Sequence, residues 1–339
     1  MTICDIAKAA GVSIATVSRV VNGTGYVKAE TREKVEAVIK EYDYCPNAVA
    51  RSLIRKESNM IGLIMPERVN PLFVEIIDSI ERKAEEEGLQ ILFFNTDGSL
   101  EKEYNALQAV RENQVRGLLI ISVIGSDERN AKILIEIEES GTPVVLIDRD
   151  VAEGCFDAVF INDSEAVYEA SKALAKVGHR RVGIITSPEF MSRGRRRIDG
   201  FIQCQKEFGL SMNQAYIYPG DFTLNSGYDA CEYFMKLPVP PTGILSLNSS
   251  ETLGCIKYFK EHEIQIGKDI GLIGFDDIST LTIIGYPVSA IARPMREMGG
   301  RAFSLLMDRI RQGKKSQRMK EIILQTHLVL RGSELCDHI

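Results

Sequence analysis

Several things are scarce or missing in this chain of 339 residues. It has no tryptophan, only four histidines, and no apolar run near the ~18 residues that a membrane span needs. The first 20 residues carry Asp5 and an amphipathic pattern in place of the continuous apolar stretch of a signal peptide, so the chain is expected to stay in the cytoplasm, away from membranes. Seven cysteines (Cys4, Cys45, Cys155, Cys204, Cys231, Cys255 and Cys336) are scattered without a CxxC pair. An odd number in a cytosolic protein points to reduced thiols, not to a disulfide framework. Cys336 and His338 stand close together in the tail, but two candidate ligands do not make a zinc site. No metal and no cofactor are expected. A phosphate loop GxxxxGK[ST], a GxSxG elbow and an HExxH pair are all absent, which leaves no catalytic residue to nominate and no enzyme to expect. Gly23-Thr24-Gly25 follows a helix instead of a strand and reads as a helix C-cap. The net charge of −6 argues at first against nucleic acid. Its distribution argues otherwise: residues 1 to 60 hold nine Lys/Arg and seven Asp/Glu, which is +2 there and −8 in the remainder.

The informative stretch is 3 to 22, ICDIAKAAGVSIATVSRVVN. Ile3, Ile6, Ala7 and Ala10 recur at i, i+3, i+4 and i+7, one apolar helical face. Gly11 permits the left-handed turn, Ser13 is a good N-cap for a second helix, and Gly23 ends that helix. On the second helix Val17, Val20 and Val21 cluster on one side. Ala15, Ser18, Arg19 and Asn22 lie opposite, with Ile14 and Thr16 flanking. A third helix follows at once, with Val35, Val38, Ile39 and Tyr42 at the same spacing. Three helices in about 45 residues make a helix-turn-helix headpiece, whose second helix enters the DNA major groove. In that groove Arg19 suits a guanine edge, and Ile14 and Ala15 suit a thymine methyl. Ser13 and Thr16, with the helix N-terminus, suit phosphates.

The run DIAKAAGVSIATVSRVVNGTGYV, then TREKV, then YCPNAVARSL, resembles the headpiece of the lactose-repressor family of bacterial transcription regulators. Lys28 departs from the pattern, since a serine usually caps the third helix there. The resemblance implies that PNAVARSLIRK is the hinge helix, which pairs with its dimer mate in the minor groove. Asn47, Arg51 and Leu53 would touch DNA there, Leu53 as the wedge between base steps.

Beyond Asn59, short apolar runs alternate with amphipathic stretches. MIGLIM, LQILFF, GLLIIS and PVVLID are separated by helices predicted at 72–87, 99–113 and 128–140. A second set follows: helix 164–177, VGIIT, helix 195–208, AYIY, helix 224–235, GILSL, helix 251–260 and IGLIGF. This is the pattern of two doubly wound α/β lobes with parallel sheets covered on both faces. The tail adds a strand at 288–292, a helix at 296–311 and a strand EIILQTHLVL. Domain boundaries are therefore set at 1–45 for the headpiece and 46–58 for the hinge. The first lobe takes 59–161 and 293–319, and the second takes 162–290 and 320–333. The resemblance, covering Thr2 to about Ser333, implies the crossover of a periplasmic-binding-protein-like body that opens and closes on a ligand. The few residues after Leu330 leave no room for a tetramer-forming heptad tail, so a homodimer on a pseudo-palindromic double-stranded operator is expected.

Ligands of open parallel sheets bind beyond the carboxyl ends of the strands. Asn70, Pro71, Leu72 and Phe73 follow the first strand there, and Asp148 with Arg149 follows PVVLI. Arg197, Phe222, Asn248 and Asp276 occupy matching places in the second lobe. By resemblance Leu72, Phe73, Asp148, Arg197, Phe222, Asn248 and Asp276 contact the effector. Carboxylates and an arginine suit sugar hydroxyls, and rings suit the apolar face. The RGRRR run, Arg193 to Arg197, also fits an anion pocket for a phosphorylated ligand. Asn248-Ser249 replaces the family's Asn-Asp, which unsettles any carry-over of sugar specificity.

The expected function is a dimeric repressor controlled allosterically by a sugar or sugar phosphate. The alternatives are a cytoplasmic ligand-binding module and a regulator that answers to a nucleobase or a protein co-effector.

Overall fold

The computed structural model describes residues 2–22, 24–43, 58–67, 71–123, 128–151, 155–186, 192–313 and 318–339. Asn47, Arg51 and Leu53 lie outside the described residues, as do the rest of the hinge segment up to residue 57, Asn70 and the side chains of Asn22, Pro71 and Arg193.

Helices α1 (Ile3–Ala10), α2 (Ile14–Asn22) and α3 (Ala29–Glu41) form the N-terminal unit. Thr2 and Asp5 close a reciprocal capping box on α1, and Gly11 stops that helix at φ +64. The packing is small but sealed: Ile6, Ala7, Ala10, Val17, Val20 and Val35 are buried, with Ile3, Val12, Val21, Val27, Val38 and Ile39 around them. The predicted valine face of α2 is therefore the packed one. On α3, Tyr42 falls off the apolar face and is exposed, and Lys28 supplies no side-chain cap.

The second unit, Met60–Ile339, contains two six-stranded sheets. The first runs β11-β5-β4-β3-β1-β2 and is parallel throughout. Its strands are β1 (Met60–Met65), β2 (Gln90–Asn95), β3 (Leu118–Ile120), β4 (Val144–Ile147), β5 (Asp157–Ile161) and β11 (Glu321–Leu324). The second runs β12-β10-β9-β8-β6-β7, with only the edge strand β12 antiparallel. It comprises β6 (Val182–Thr186), β7 (Ile217–Pro219), β8 (Gly243–Ser246), β9 (Gly271–Phe275), β10 (Ser289–Ala292) and β12 (His327–Val329). Strands buried on both faces explain the continuous apolar runs: β1, β3, β4 and β9 are wholly or almost wholly buried.

Helices Pro71–Glu86 and Met295–Gln312 pack together on one face of the first sheet, while Leu100–Glu112 and Glu128–Ser140 cover the other. In the second lobe Asp163–Lys176 and Ser192–Phe208 form one layer, and Leu224–Met235 and Ser249–Glu261 form the opposite one. The chain crosses between lobes three times: after β5, after β10, and between β11 and β12. That last crossing corrects the reading of EIILQTHLVL as one strand belonging to the second lobe. Glu321–Leu324 pairs with β5 of the first sheet, and His327–Val329 pairs with β10 of the second. Two of the crossings are tied to each other, since Asn162 Nδ2 donates to Gln325 Oε1 at 2.7 Å and the Thr326 N–H donates to Asn162 Oδ1 at 2.9 Å.

Two further differences concern β5 and β7. The reading passed over β5 (DAVFI) altogether. It also placed a strand at AYIY, where Gln214–Tyr216 is a 3-10 turn and β7 begins only at Ile217.

Candidate DNA-reading helix and inter-lobe site

In the N-terminal unit, local capping fixes the start of α2. The Thr16 N–H donates to Ser13 Oγ at 3.1 Å, and the two hydroxyls lie 2.9 Å apart. Burial of Val17 and Val20 then sets the rotation of α2. Ile14, Ala15 and Arg19 face solvent, and Thr16 and Ser18 are half-buried at the edge. The Arg19 stem runs alongside Gly25, where an added Cβ would lie 3.6 Å from its Cδ. Sequence reasoning missed Tyr26, the next residue along the chain, which is 86% exposed. An exposed ring in a short loop following the outward helix was the available signal.

In the second unit, a cluster of charges collects where strands of both sheets end. Asp148 follows β4 and Asp276 follows β9, both in the left-handed region at φ +63 and +76. Aspartate tolerates that region better than most residues, and such conformations concentrate at functional sites. Arg293, just beyond β10 at a crossing, joins them. Its Nη1 donates to Asp148 Oδ1 at 2.8 Å and its Nε donates to Asp276 Oδ1 at 2.5 Å. Burial pushes the Asp148 carboxyl up, but Arg293, Arg197 and Arg149 more than reverse this and hold it below its ordinary value. Burial likewise opposes the charge on Arg293, and the two aspartates override it, raising the guanidinium well above its usual range. Arg293 was missed in the sequence, although it follows a strand just as Asp276 does.

Arg197 is turned inward. Its Nε donates to Asp163 Oδ1 at 2.8 Å and its Nη1 to the Leu247 carbonyl at 2.9 Å. Its guanidinium carbon sits 3.9 Å from the centre of the Phe275 ring, and that of Arg293 sits 5.5 Å from the same centre. The RGRRR run therefore divides, with Arg195 and Arg196 exposed and Arg196 near Glu321 at 3.9 Å.

The other expected contacts are placed less uniformly. Leu72 is half-buried and Phe73 is buried, both against the first-lobe core. Asn248 caps the helix Ser249–Glu261, with its Oδ1 accepting the N–H groups of Ser250 and Glu251 at 2.8 and 3.4 Å. Phe222 has φ +69, and its N–H donates to Glu251 Oε1 at 3.0 Å. Glu251, also missed, is wholly buried beneath this loop, and among the described residues its Oε2 has no hydrogen-bond partner. Burial pushes its carboxyl up to about 7, against the lowering bond from Phe222 and with added repulsion from Asp221.

Among the described residues no helix is long and apolar enough to cross a membrane. The sequence profile of "Bacterial regulatory proteins, lacI family" matches residues 2–47. That of "Periplasmic binding proteins and sugar binding domain of LacI family" matches residues 58–329. The chain is 34% identical over 332 residues to the HTH-type transcriptional regulator DegA of Bacillus subtilis, covering 98% of this chain and 97% of that one. It is 31% identical over 332 residues to the ribose operon repressor of Escherichia coli K12, covering 98% and 99%. Its fold matches the crystal structure of the Lac repressor dimer bound to operator and the anti-inducer ONPF, with TM-score 0.84, 25% identity and 99% of each chain covered. An outward-facing helix in an N-terminal helix-turn-helix, joined to two doubly wound lobes, agrees with all three: the chain belongs to the lacI family of bacterial regulatory proteins and is a DNA-binding transcriptional regulator.

Proposed function

We propose that the protein is a cytoplasmic dimeric repressor whose affinity for a pseudo-palindromic operator is set by a small molecule, a sugar or sugar phosphate, held between the two lobes, and that it has no enzymatic role. The observation that carries this reading is the meeting of Asp148, Asp276, Arg197 and Arg293 at the carboxyl ends of strands from both sheets. A ligand there touches both lobes at once, so its binding free energy depends on their relative angle. That differential affinity is what lets a ligand shift one state against another. The relatives' names add a carbohydrate theme, since one represses a ribose operon. Dimer formation is supported by Val74, Phe93, Ile283 and Ile284, which are large apolar side chains left exposed on the body. Two copies present two α2 helices, as two half-sites require. In this reading Ser13, Ile14, Ala15, Thr16, Ser18, Arg19 and Asn22 meet the major groove, and Asn47, Arg51 and Leu53 meet the minor groove.

The test begins with recovery of the bound sequence from genomic DNA. Sedimentation velocity and fluorescence anisotropy follow, on that operator with and without a panel of sugars and sugar phosphates. The expected result is a dimer whose operator affinity changes at least about tenfold with one compound, a coupling of about 1.4 kcal/mol. A monomer bound to a single half-site would overturn the dimer. Operator affinity indifferent to a compound that binds the body would overturn effector control.

A further inference from the structure

Glu251 is a buried acid that the inter-lobe cluster does not use. It stands in the first turn of the helix Ser249–Glu261, beneath the chain segment Gly220–Thr223 that joins β7 to the helix Leu224–Met235. Its Oε1 accepts the Phe222 N–H at 3.0 Å, and a Cβ on Gly220 would overlap that same oxygen, so the segment rests directly on the carboxylate. Its Oε2 has no hydrogen-bond partner among the described residues. No cation answers the charge. From β6 comes the Thr186 carbonyl, from β7 the Tyr218 phenol, from the helix Leu224–Met235 the Ser226 hydroxyl and, near Tyr218, Asp229. Asp221 adds a repelling charge from above. On its own helix Lys257 lies further along and pairs with Glu261. Among the described residues no lysine, arginine or histidine forms an ion pair with Glu251.

The helices below cannot part to admit water. A Cβ on Gly227 would overlap the Glu251 carbonyl oxygen, and one on Gly254 would overlap that of Leu224, so the two backbones are in contact. The segment above can yield. Asp221 and Thr223 face solvent, and Phe222 is half-buried at φ +69, which a bulky residue holds only under constraint. Its other ties are local. The Asp221 N–H donates to Ser226 Oγ at 3.3 Å, and Asp221 Oδ1 accepts from the Thr223 N–H and hydroxyl at 2.9 and 2.7 Å.

We propose that Glu251 is the positioning residue of the Phe222 segment: protonated, it lets the segment lie closed, and on losing its proton it drives the segment outward to reach water. The bearing of this latch on ligand control rests on the reading of Phe222 as part of the inter-lobe effector site. Protonation removes the repulsion from Asp221 and the cost of a bare buried charge. The bond from Phe222 favours the ionised form, and burial outweighs it. A carboxyl that titrates near 7 under the closed segment and near its ordinary 4.5 in water makes lifting up to about 300-fold more favourable on the alkaline side. About tenfold of this falls between pH 6 and 8. Because the closed value is the raised one, the segment is most secure in acid and loosens as the pH rises through about 7.

The test follows the segment in the full-length protein without any ligand. The chain has no tryptophan, so Phe222→Trp supplies a single fluorescent reporter. Its quenching by acrylamide is expected to rise, and its emission to shift to the red, as the pH goes from 6 to 8. Adding Glu251→Gln, which keeps an oxygen for the Phe222 N–H but cannot ionise, is expected to abolish that pH dependence. Amide hydrogen exchange of the peptide spanning Gly220–Thr223 gives a second measurement that needs no reporter. The exchange rate of the wild type relative to Glu251→Gln at each pH cancels the intrinsic pH dependence, and this ratio should grow about tenfold from pH 6 to 8. A ratio that stays level, a segment that tightens as the pH rises, or a fluorescence transition that survives Glu251→Gln would each overturn the proposal. The wider reading fails separately. If the segment responds as expected but no compound alters operator affinity, effector control falls and the latch stands.

Discussion

Replacing Arg293 by methionine tests the electrostatics of the inter-lobe cluster most directly. The Arg293 side chain is only 6% exposed, against 10% for Asp148 and 3% for Asp276. Methionine keeps most of the volume and removes the charge, leaving two carboxylates close together and largely out of water. Removing one partner of a buried pair costs about 3–5 kcal/mol, because the remaining charge is uncompensated. With an unfolding entropy of about 2.1 cal/mol/K per residue, a body of this size loses about 5–9 °C in Tm. Scanning fluorimetry at neutral pH measures this, with Arg293→Lys expected in between because it keeps charge but not the two-pronged geometry. The sign of the pH dependence follows from Asp148. Its carboxyl is held below the ordinary value in the folded state, so the stability it contributes is present above the unfolded pKa of about 3.9 and lost as pH falls through the folded one. The wild-type advantage over Arg293→Met should therefore shrink as the pH is brought down toward about 4, where the stranded carboxylates protonate. A variant with unchanged Tm at pH 7, or a gap that widens on acidification, would show that Arg293 does not compensate these aspartates.

Other expectations are simpler. Arg19→Ala should relax base preference at one operator position at a cost of about 1–3 kcal/mol; an equal loss on every sequence in a binding array would move Arg19 to the phosphates. Glu251, raised to about 7, contributes stability that is full below its unfolded pKa and lost as pH rises through the folded one, so Glu251→Gln should gain on wild type between about pH 5 and 8, by about 3 kcal/mol at most. A pH-independent difference in Tm between these two proteins would show that Glu251 ionises freely. Gly200→Ala would place a Cβ 2.0 Å from the Ser164 carbonyl oxygen, and forcing the two second-lobe helices apart should cost at least about 1–3 kcal/mol in urea unfolding. An unchanged midpoint would mean that the helices separate freely.

Much of this architecture is written locally. Strands buried on both faces announce themselves as MIGLIM or GLIGF, and helix 224–235 is bounded in the sequence as it is in space. What escaped was whatever depended on distant partners. The strand β5 opens with Asp157, a buried acid made tolerable by Arg309 at 2.5 and 2.7 Å, 152 residues away, and by the Lys320 N–H at 2.8 Å, 163 residues away. Without those partners in view, DAVFI reads as a loop. The strands β11 and β12 are both edge strands, half-exposed, so their alternation continues through Gln325 and Thr326, and only pairing reveals the change of sheet. In the site, Asp148 and Asp276 were found by following each apolar run to its end. Arg293 obeys the same rule after SAIA, but the rule was not applied to a strand in the tail. Glu251 lay beyond reach, because nothing in SSETLG shows that the third residue points under the Phe222 loop.

The paired crossings have a mechanical meaning. A lobe attached by one strand can swivel and tilt freely, but each added tether removes a degree of freedom. Here two tethers are bonded together through Asn162, and the third ends at Arg293, which is tied to aspartates on both sides. The compliant motion left is a turn about a line through the three passages.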